Sequence, residues 1–313
     1  MDWVYVIVGL VILLLAGDSL VKGAVNLSLR LGVPALIVSL TIVAFGTSAP
    51  ELLISIQAIM DGVPGLALGN VVGSNTANVL LVLSIPALLA TMHTSECDTR
   101  NSYLQMIAAS VLFIALCSIG EFTWVSGIIL LAALAAMLTY AAMCANKHRK
   151  QADDVEEELE GADSSLGWGK ISMFLVLGLI GLPLGASLLV DGSVNIARQF
   201  GISETVIGLT LIAIGTSLPE LATTVMAALR RQADVALGNV IGSNMFNLLG
   251  IMGVASLVGT IPVDPQFLRF DLWVMLGASL LLIPFVFMKV DITRTWGAIL
   301  AALYVAYLLF VLV

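Results

Sequence analysis

Charge is scarce in this sequence: 11% of its 313 residues are charged against 59% apolar, and the mean hydropathy is +1.07. Soluble domains carry about 25% charged residues, so the shortage excludes a water-soluble globule and leaves an integral membrane protein. Apolar runs of spanning length follow one another from Trp3 onward, which excludes the alternating pattern of an outer-membrane barrel. Cysteine and histidine are as sparse, three and two residues. Cys117 and Cys144 stand in apolar stretches and Cys97 in a short loop, so three free thiols are expected, without a disulfide framework or the spacing of a zinc, copper or nickel site. His93 and His148 are placed in loops with no role. No Walker A stretch is present, which disfavours a nucleotide-driven pump. The first apolar run has no cationic leader or small-residue cleavage site and is read as a mature spanning segment.

What is there is a chain of ten expected helices, an all-α integral membrane fold. The spans are expected near 3–26, 33–60, 66–90, 103–119, 124–144, 171–197, 202–229, 235–260, 271–288 and 295–313. The second is too long for one straight crossing, since 28 residues at 1.5 Å each make roughly 42 Å against a core of about 30 Å. Pro50 lacks an N–H and crowds the carbonyl of Gly46, so helix 2 is expected to be two half-helices, and helix 7 likewise. Lys22 lies one turn after Asp18, and an ion pair is expected there. Seven of the 21 acids fall within 153–163. They lack the spacing of a calcium-binding loop, so residues 145–170 read as a solvated acidic linker.

Residues 32–80 align without a gap on 201–249, an offset of 169 residues. Thr41 pairs with Thr210, Glu51 with Glu220, Asn70 with Asn239, Ser74 with Ser243 and Asn78 with Asn247. The expected organisation is a first five-helix repeat (1–144), the linker (145–170) and a second repeat (171–313). With the N-terminus outside, 11 of the 13 Lys and Arg residues fall on the cytoplasmic side, leaving only Arg198 and Arg269 outside. Both termini are then external and the linker cytoplasmic. Five being odd, the halves insert in opposite senses, as inverted repeats. All five tryptophans sit at expected span ends, as interfacial anchors.

Each repeat sets an acid and a helix-breaking proline inside an apolar run: Gly-Thr-Ser-Ala-Pro-Glu ending at Glu51 and Gly-Thr-Ser-Leu-Pro-Glu ending at Glu220. A carboxylate at bilayer depth costs roughly 2.5–3.5 kcal/mol even on lenient scales, so it marks a functional site. Ala44, Thr47, Ser48 and Glu51 recur along one helix face, offering a carbonyl, hydroxyls and a carboxylate; Ala213, Thr216, Ser217 and Glu220 repeat the set. Ser74 and Asn78, with Ser243 and Asn247, add a polar stripe on the next helix. Gly69 and Gly73 would let another backbone approach. An all-oxygen set suits a hard cation such as Ca²⁺, which takes 6–8 oxygen ligands.

The paired Gly-Thr-Ser-x-Pro-Glu and Gly-Asn-x-x-Gly-Ser-Asn-x-x-Asn stretches resemble the two alpha repeats of the sodium/calcium exchanger family, within the cation/calcium antiporter superfamily. The resemblance implies Glu51 and Glu220 as the main Ca²⁺ ligands. Thr47, Ser48, Thr216 and Ser217 with the Ala44 and Ala213 carbonyls would line flanking Na⁺ sites, and Ser74, Asn78, Ser243 and Asn247 would complete the cluster. Many relatives carry Asp at one of the positions held here by Asn78 and Asn247, which weakens the case for K⁺ co-transport. The expectation is a Na⁺/Ca²⁺ antiporter working by alternating access as a monomer in a prokaryotic inner membrane. It would be no enzyme and would have no cofactor and no nucleic-acid partner, only the lipid bilayer and the transported ions. The alternative is an H⁺-coupled antiporter of Ca²⁺ or another cation, because carboxyl groups in a low-dielectric site are able to carry protons.

Overall fold

The computed structural model describes residues 2–151, 166–201, 213–265 and 267–312, nearly all helical. Among the described residues, eight helices are long and apolar enough to cross a membrane, and the pair Ala35–Thr47 and Ala49–Met60, bent by 42°, makes a ninth span. Leu218–Leu229, preceded by the short helix Ala213–Thr216, takes the place of helix 7 in the order of ten. The earlier part of that span, 202–212 with Thr210, lies outside the described residues, as do the acids at 153–163.

Both breaks have the same local cause. Ser48 (φ −84°, ψ 5°) and Ser217 (φ −86°, ψ 5°) leave helical geometry, and Pro50 and Pro219 follow in the first turn of the next half-helix. A proline there forfeits no hydrogen bond, because the first N–H groups of a helix have no partner within it. Gly46 and Gly215 also serve packing: a Cβ would stand 2.0 Å from Leu179 Cδ2 at Gly46 and 2.4 Å from Val190 Cγ2 at Gly215. Both neighbours belong to the long helix Trp168–Gln199.

That helix and Asp2–Leu31 run against each other backbone to backbone. A Cβ on Gly9 would come within 2.6 Å of Leu189 N, and one on Gly185 within 2.8 Å of Leu13 N. At one end the Asp2 carboxylate accepts from Gln199 Nε2 at 2.8 Å, and at the other Arg30 Nη2 donates to Leu166 O at 2.8 Å. Small residues let helices meet this closely where no hydrophobic drive separates helix from lipid. The two most buried spans are Pro64–Leu89 and Ala233–Val258. Being buried over most of their length, they occupy the centre of the bundle, and their polar residues face protein rather than lipid. Each loosens into a π-helical turn near its middle, Asn78–Val82 and Phe246–Ile251, feature of a kind found often at functional sites. The least buried spans among the described residues are Trp124–Cys144 and Arg294–Val311.

Several expected boundaries move. The fifth helix continues to Gln151 and the sixth begins at Trp168, so both ends of the expected 145–170 linker are helical and His148 is not in a loop. The ninth span starts at Phe267 with a π turn and is interrupted before Ile283–Phe287, where Pro284 has no N–H to continue the ladder. His93 has a partner: its Nδ1 lies 3.0 Å from Asp291 Oδ2, beside an antiparallel bridge between Met92 and Ile292. The equivalent loops at the other end pair Glu121–Phe122 with Ile261–Pro262. Trp3, Trp124, Trp168 and Trp273 are exposed near helix starts, while Trp296 packs edge-on against Phe285 at 5.2 Å. Gly238 and Gly242 do admit another backbone, with Leu36 O and Leu40 O 3.0 and 2.6 Å from an added Cβ. The segment that would meet Gly69 and Gly73 by the same symmetry lies outside the described residues. All three cysteines are free.

Candidate cation site

The two half-helices that begin after Ser48 and Ser217 bring their first-turn glutamates into the interior. Glu51 and Glu220 are 1% and 0% exposed, although burying a charge without a partner is among the costliest things a fold can do. They lie within Coulombic reach of one another. Among the described residues no Lys, Arg or His pairs with either; ion pairs elsewhere include Asp18 with Lys22 and Arg230, and Asp291 with His93.

Most of the side chains expected from sequence share the protein interior with the glutamates. Thr47, Ser48, Ser74, Asn78, Thr216, Ser217, Ser243 and Asn247 are all buried. Ser48 Oγ donates to Glu220 Oε1 at 3.0 Å, and Ser243 Oγ lies 3.5 Å from the same oxygen. A hydroxyl of one repeat thus touches the carboxylate of the other, as head-to-head placement of the half-helices requires. Ala44 O accepts Ser48 N at 3.1 Å; Thr47 Oγ1 lies 3.3 Å from it, but its single proton has a nearer acceptor in Asn239 Oδ1 at 3.2 Å, which leaves a lone pair of Ala44 O for an ion. In the second repeat the Ser217 N–H turns to Ile214 O at 3.0 Å, and Ala213 opens the short helix before it.

Several buried groups here have no hydrogen-bond partner among the described residues: both oxygens of Glu51, Oε2 of Glu220, Oγ of Ser217, Oδ1 of Asn75 and Asn78, and both side-chain polar atoms of Asn247. Buried polar atoms are almost always satisfied, so such a concentration fits a site for a ligand that supplies the missing partner. Apart from Asn247 Nδ2 these atoms are oxygens, two of the residues are formally anionic, and a hard cation is the chemistry that would satisfy them. Among the described residues no group of three or more His, Cys, Asp or Glu side chains is placed so that it could hold a metal ion. The donor set is therefore two carboxylates among neutral oxygens.

Sequence reasoning overlooked Asn75 and Asn244. Asn78 Nδ2 donates to Asn244 Oδ1 at 3.0 Å across the repeats, and Asn244 Nδ2 reaches Asn75 O at 3.4 Å. With its nitrogen engaged, Asn78 keeps only its oxygen for the site. Asn75 is one residue off the stripe of 70, 74 and 78, so a single-face argument passes over it; the signal lay in the duplicated Gly-Ser-Asn triplet.

The sequence profile described as sodium/calcium exchanger protein matches residues 1–143 and 170–313. The sodium/calcium exchanger MaX1 of Methanosarcina acetivorans is 35% identical, over 98% of this chain and 97% of its own length. The inner membrane protein YrbG of Escherichia coli is 34% identical, covering 88% of this chain and 85% of its own. Among solved structures, the sodium–calcium exchanger NCX_Mj superposes with a TM-score of 0.81 at 32% identity, over 97% of both chains.

Proposed function

Because this chain belongs to the sodium/calcium exchanger protein family, a family of multi-pass membrane cation antiporters, we propose that it exchanges Na⁺ for Ca²⁺ by alternating access at the site between Glu51 and Glu220. The observation that carries the proposal is the pair of fully buried glutamates, contributed by inverted half-helices and left without a cationic partner by the described residues. One Ca²⁺ or two Na⁺ would cancel the two formal charges. Occupancy by one ion species then excludes the other, which is the requirement for exchange rather than co-transport. Held empty, the site would leave two like charges in a medium of low dielectric, where each has lost its water. That penalty makes the loaded protein the form able to rearrange, so that ions cross only in exchange for ions.

In this reading Glu51 and Glu220 bind Ca²⁺, with Asn78, Asn247, Ser74 and Ser243 completing its shell. Thr47, Ser48, Thr216 and Ser217 with the carbonyls of Ala44 and Ala213 hold Na⁺. Residues 1–144 and 171–313 are the two repeats that exchange roles about the site, in a single chain acting as a monomer. Its termini lie outside, and the 145–170 linker is cytoplasmic. Uptake of labelled Ca²⁺ into proteoliposomes, driven by an imposed Na⁺ gradient or a pH gradient applied separately, tests the coupling. The Na⁺ gradient is expected to drive uptake; uptake driven by the pH gradient alone would replace Na⁺ by H⁺ as the coupling ion.

A further inference from the structure

Two asparagines outside the proposed ion-binding set stand in matched geometry behind the two glutamates. Asn70 Nδ2 donates to Glu51 O at 3.2 Å and to Ser55 Oγ at 3.1 Å. Asn239 Nδ2 donates to Glu220 O at 3.3 Å and to Thr224 Oγ1 at 3.1 Å. In each repeat the amide of the central span grips the backbone carbonyl of the glutamate itself together with the hydroxyl one helical turn further on. Simple interhelical adhesion requires some hydrogen bond between the spans. It does not require the same two acceptors, one on the ion-binding residue, in both halves of a chain whose helix pairs differ in sequence elsewhere. Ser55 and Thr224 differ, yet the hydroxyl that the amide needs is kept, and Thr224 Oγ1 also donates to Glu220 O at 2.7 Å.

Asn239 carries a second contact. Its Oδ1 accepts from Thr47 Oγ1 at 3.2 Å, reaching across to the other repeat. A hydroxyl ligates a cation only through its lone pairs, so its proton must be directed elsewhere. An amide suits this double duty because it has both a donor and an acceptor; a carboxylate would lack the donor and add a charge, and an apolar side chain would lack both.

We propose, on the reading that this is the exchange site, that Asn70 and Asn239 are positioning residues. They fix the height and rotation of Glu51 and Glu220 on their half-helices, and Asn239 also turns the Thr47 hydroxyl so that its lone pairs face the ion. They act through the ligands and do not touch the cation. The hydroxyls of Ser55 and Thr224 complete the two clamps.

The test is the Ca²⁺-dependent rise in melting temperature of the purified full-length protein, measured with the apparent KM and maximal rate of Ca²⁺ flux in proteoliposomes. Asn239→Ala is expected to raise the apparent KM for Ca²⁺ about tenfold or more, the usual range for losing a group that orients a metal ligand, with the maximal rate much less affected. The Ca²⁺-induced stabilisation should shrink in parallel. Should Asn239→Ala not fold, Thr224→Val leaves both asparagines in place and is expected to raise KM several-fold, in the direction of the outer-partner losses; Thr224→Ser, the residue type used at position 55, should restore it. Wild-type stabilisation by Ca²⁺ with unchanged KM in Asn239→Ala, or with Thr224→Val and Thr224→Ser indistinguishable, would overturn the positioning role alone. A wild type that neither Ca²⁺ nor Na⁺ stabilises would overturn the exchange-site reading and this inference together.

Discussion

Glu51 and Glu220 occupy equivalent places 169 residues apart, but their surroundings are not the same. One oxygen of Glu220 is taken by Ser48 and Ser243, whereas among the described residues neither oxygen of Glu51 has a hydrogen-bond partner, nor has the hydroxyl of Ser217, equivalent to Ser48. Asn78 is tied to Asn244, while the matching pair, Asn247 and Asn75, leaves three polar atoms unsatisfied. The contrast extends to the helix ends. Arg230 Nε donates to Asp18 at 2.6 Å, whereas among the described residues the equivalents pair locally, Asp61 with Gln57 and Ser187 with Asp191. Two copies in one conformation would present a central site equally to both sides of a membrane. These departures from symmetry mean that the two halves do not share one conformation.

The largest effect expected from breaking this comparison is loss of charge. Glu51→Gln and Glu220→Gln keep the volume and one carbonyl oxygen but remove the charge that offsets dehydration of a divalent ion. Each should cut Ca²⁺ flux more than about 100-fold, some 2.7 kcal/mol, while the purified protein stays monodisperse. A wild-type rate in either variant would show that the halves do not share one site. Asn247→Asp should come next, because it adds a third acid on the side whose polar groups are unsatisfied. Three crowded carboxylates cannot all stay charged in a low dielectric without a further cation or a proton. Flux measured against pH, with and without K⁺, should gain a dependence that the wild type lacks; superimposable profiles would place Asn247 away from the ions.

Much of the fold was legible because duplication is visible in a single chain. The offset of 169 residues, the prolines after Ser48 and Ser217 and the length of each apolar run gave ten spans and located both breaks. What could not be read were contacts between the halves. Asn244 holding Asn78, and Asn239 serving both Glu220 and Thr47, depend on how one repeat lies on the other, and no periodicity within a helix encodes that. The π turns at Asn78–Val82 and Phe246–Ile251 escaped for a different reason: widening a helix by one residue leaves its apolar pattern nearly unchanged. Asp18 was expected to pair with Lys22 and does, at 3.0 Å, but Arg230 comes to the same carboxylate from more than 200 positions away.

Smaller effects sharpen the comparison. Ser48→Ala removes a hydrogen bond to a carboxylate and should destabilise the ion-free protein by about 1.5–3 kcal/mol, while Ser217→Ala, with no bond to lose, should cost less than about 1 kcal/mol. Equal losses in thermal unfolding would mean that the two halves are alike in solution. Smallest is Arg230→Gln: a partly exposed pair is worth about 1 kcal/mol or less, and the loss should shrink in high salt, whereas Asp61→Asn at the equivalent place should change little.

The central claim is that the two halves jointly hold one exchangeable cation site. Equilibrium binding of labelled Ca²⁺ to the purified protein tests it most directly. The account predicts that Na⁺ displaces the bound Ca²⁺ and that Glu51→Gln and Glu220→Gln each remove the binding. Ca²⁺ bound undiminished by the double variant, or held equally well in the presence of saturating Na⁺, would contradict it.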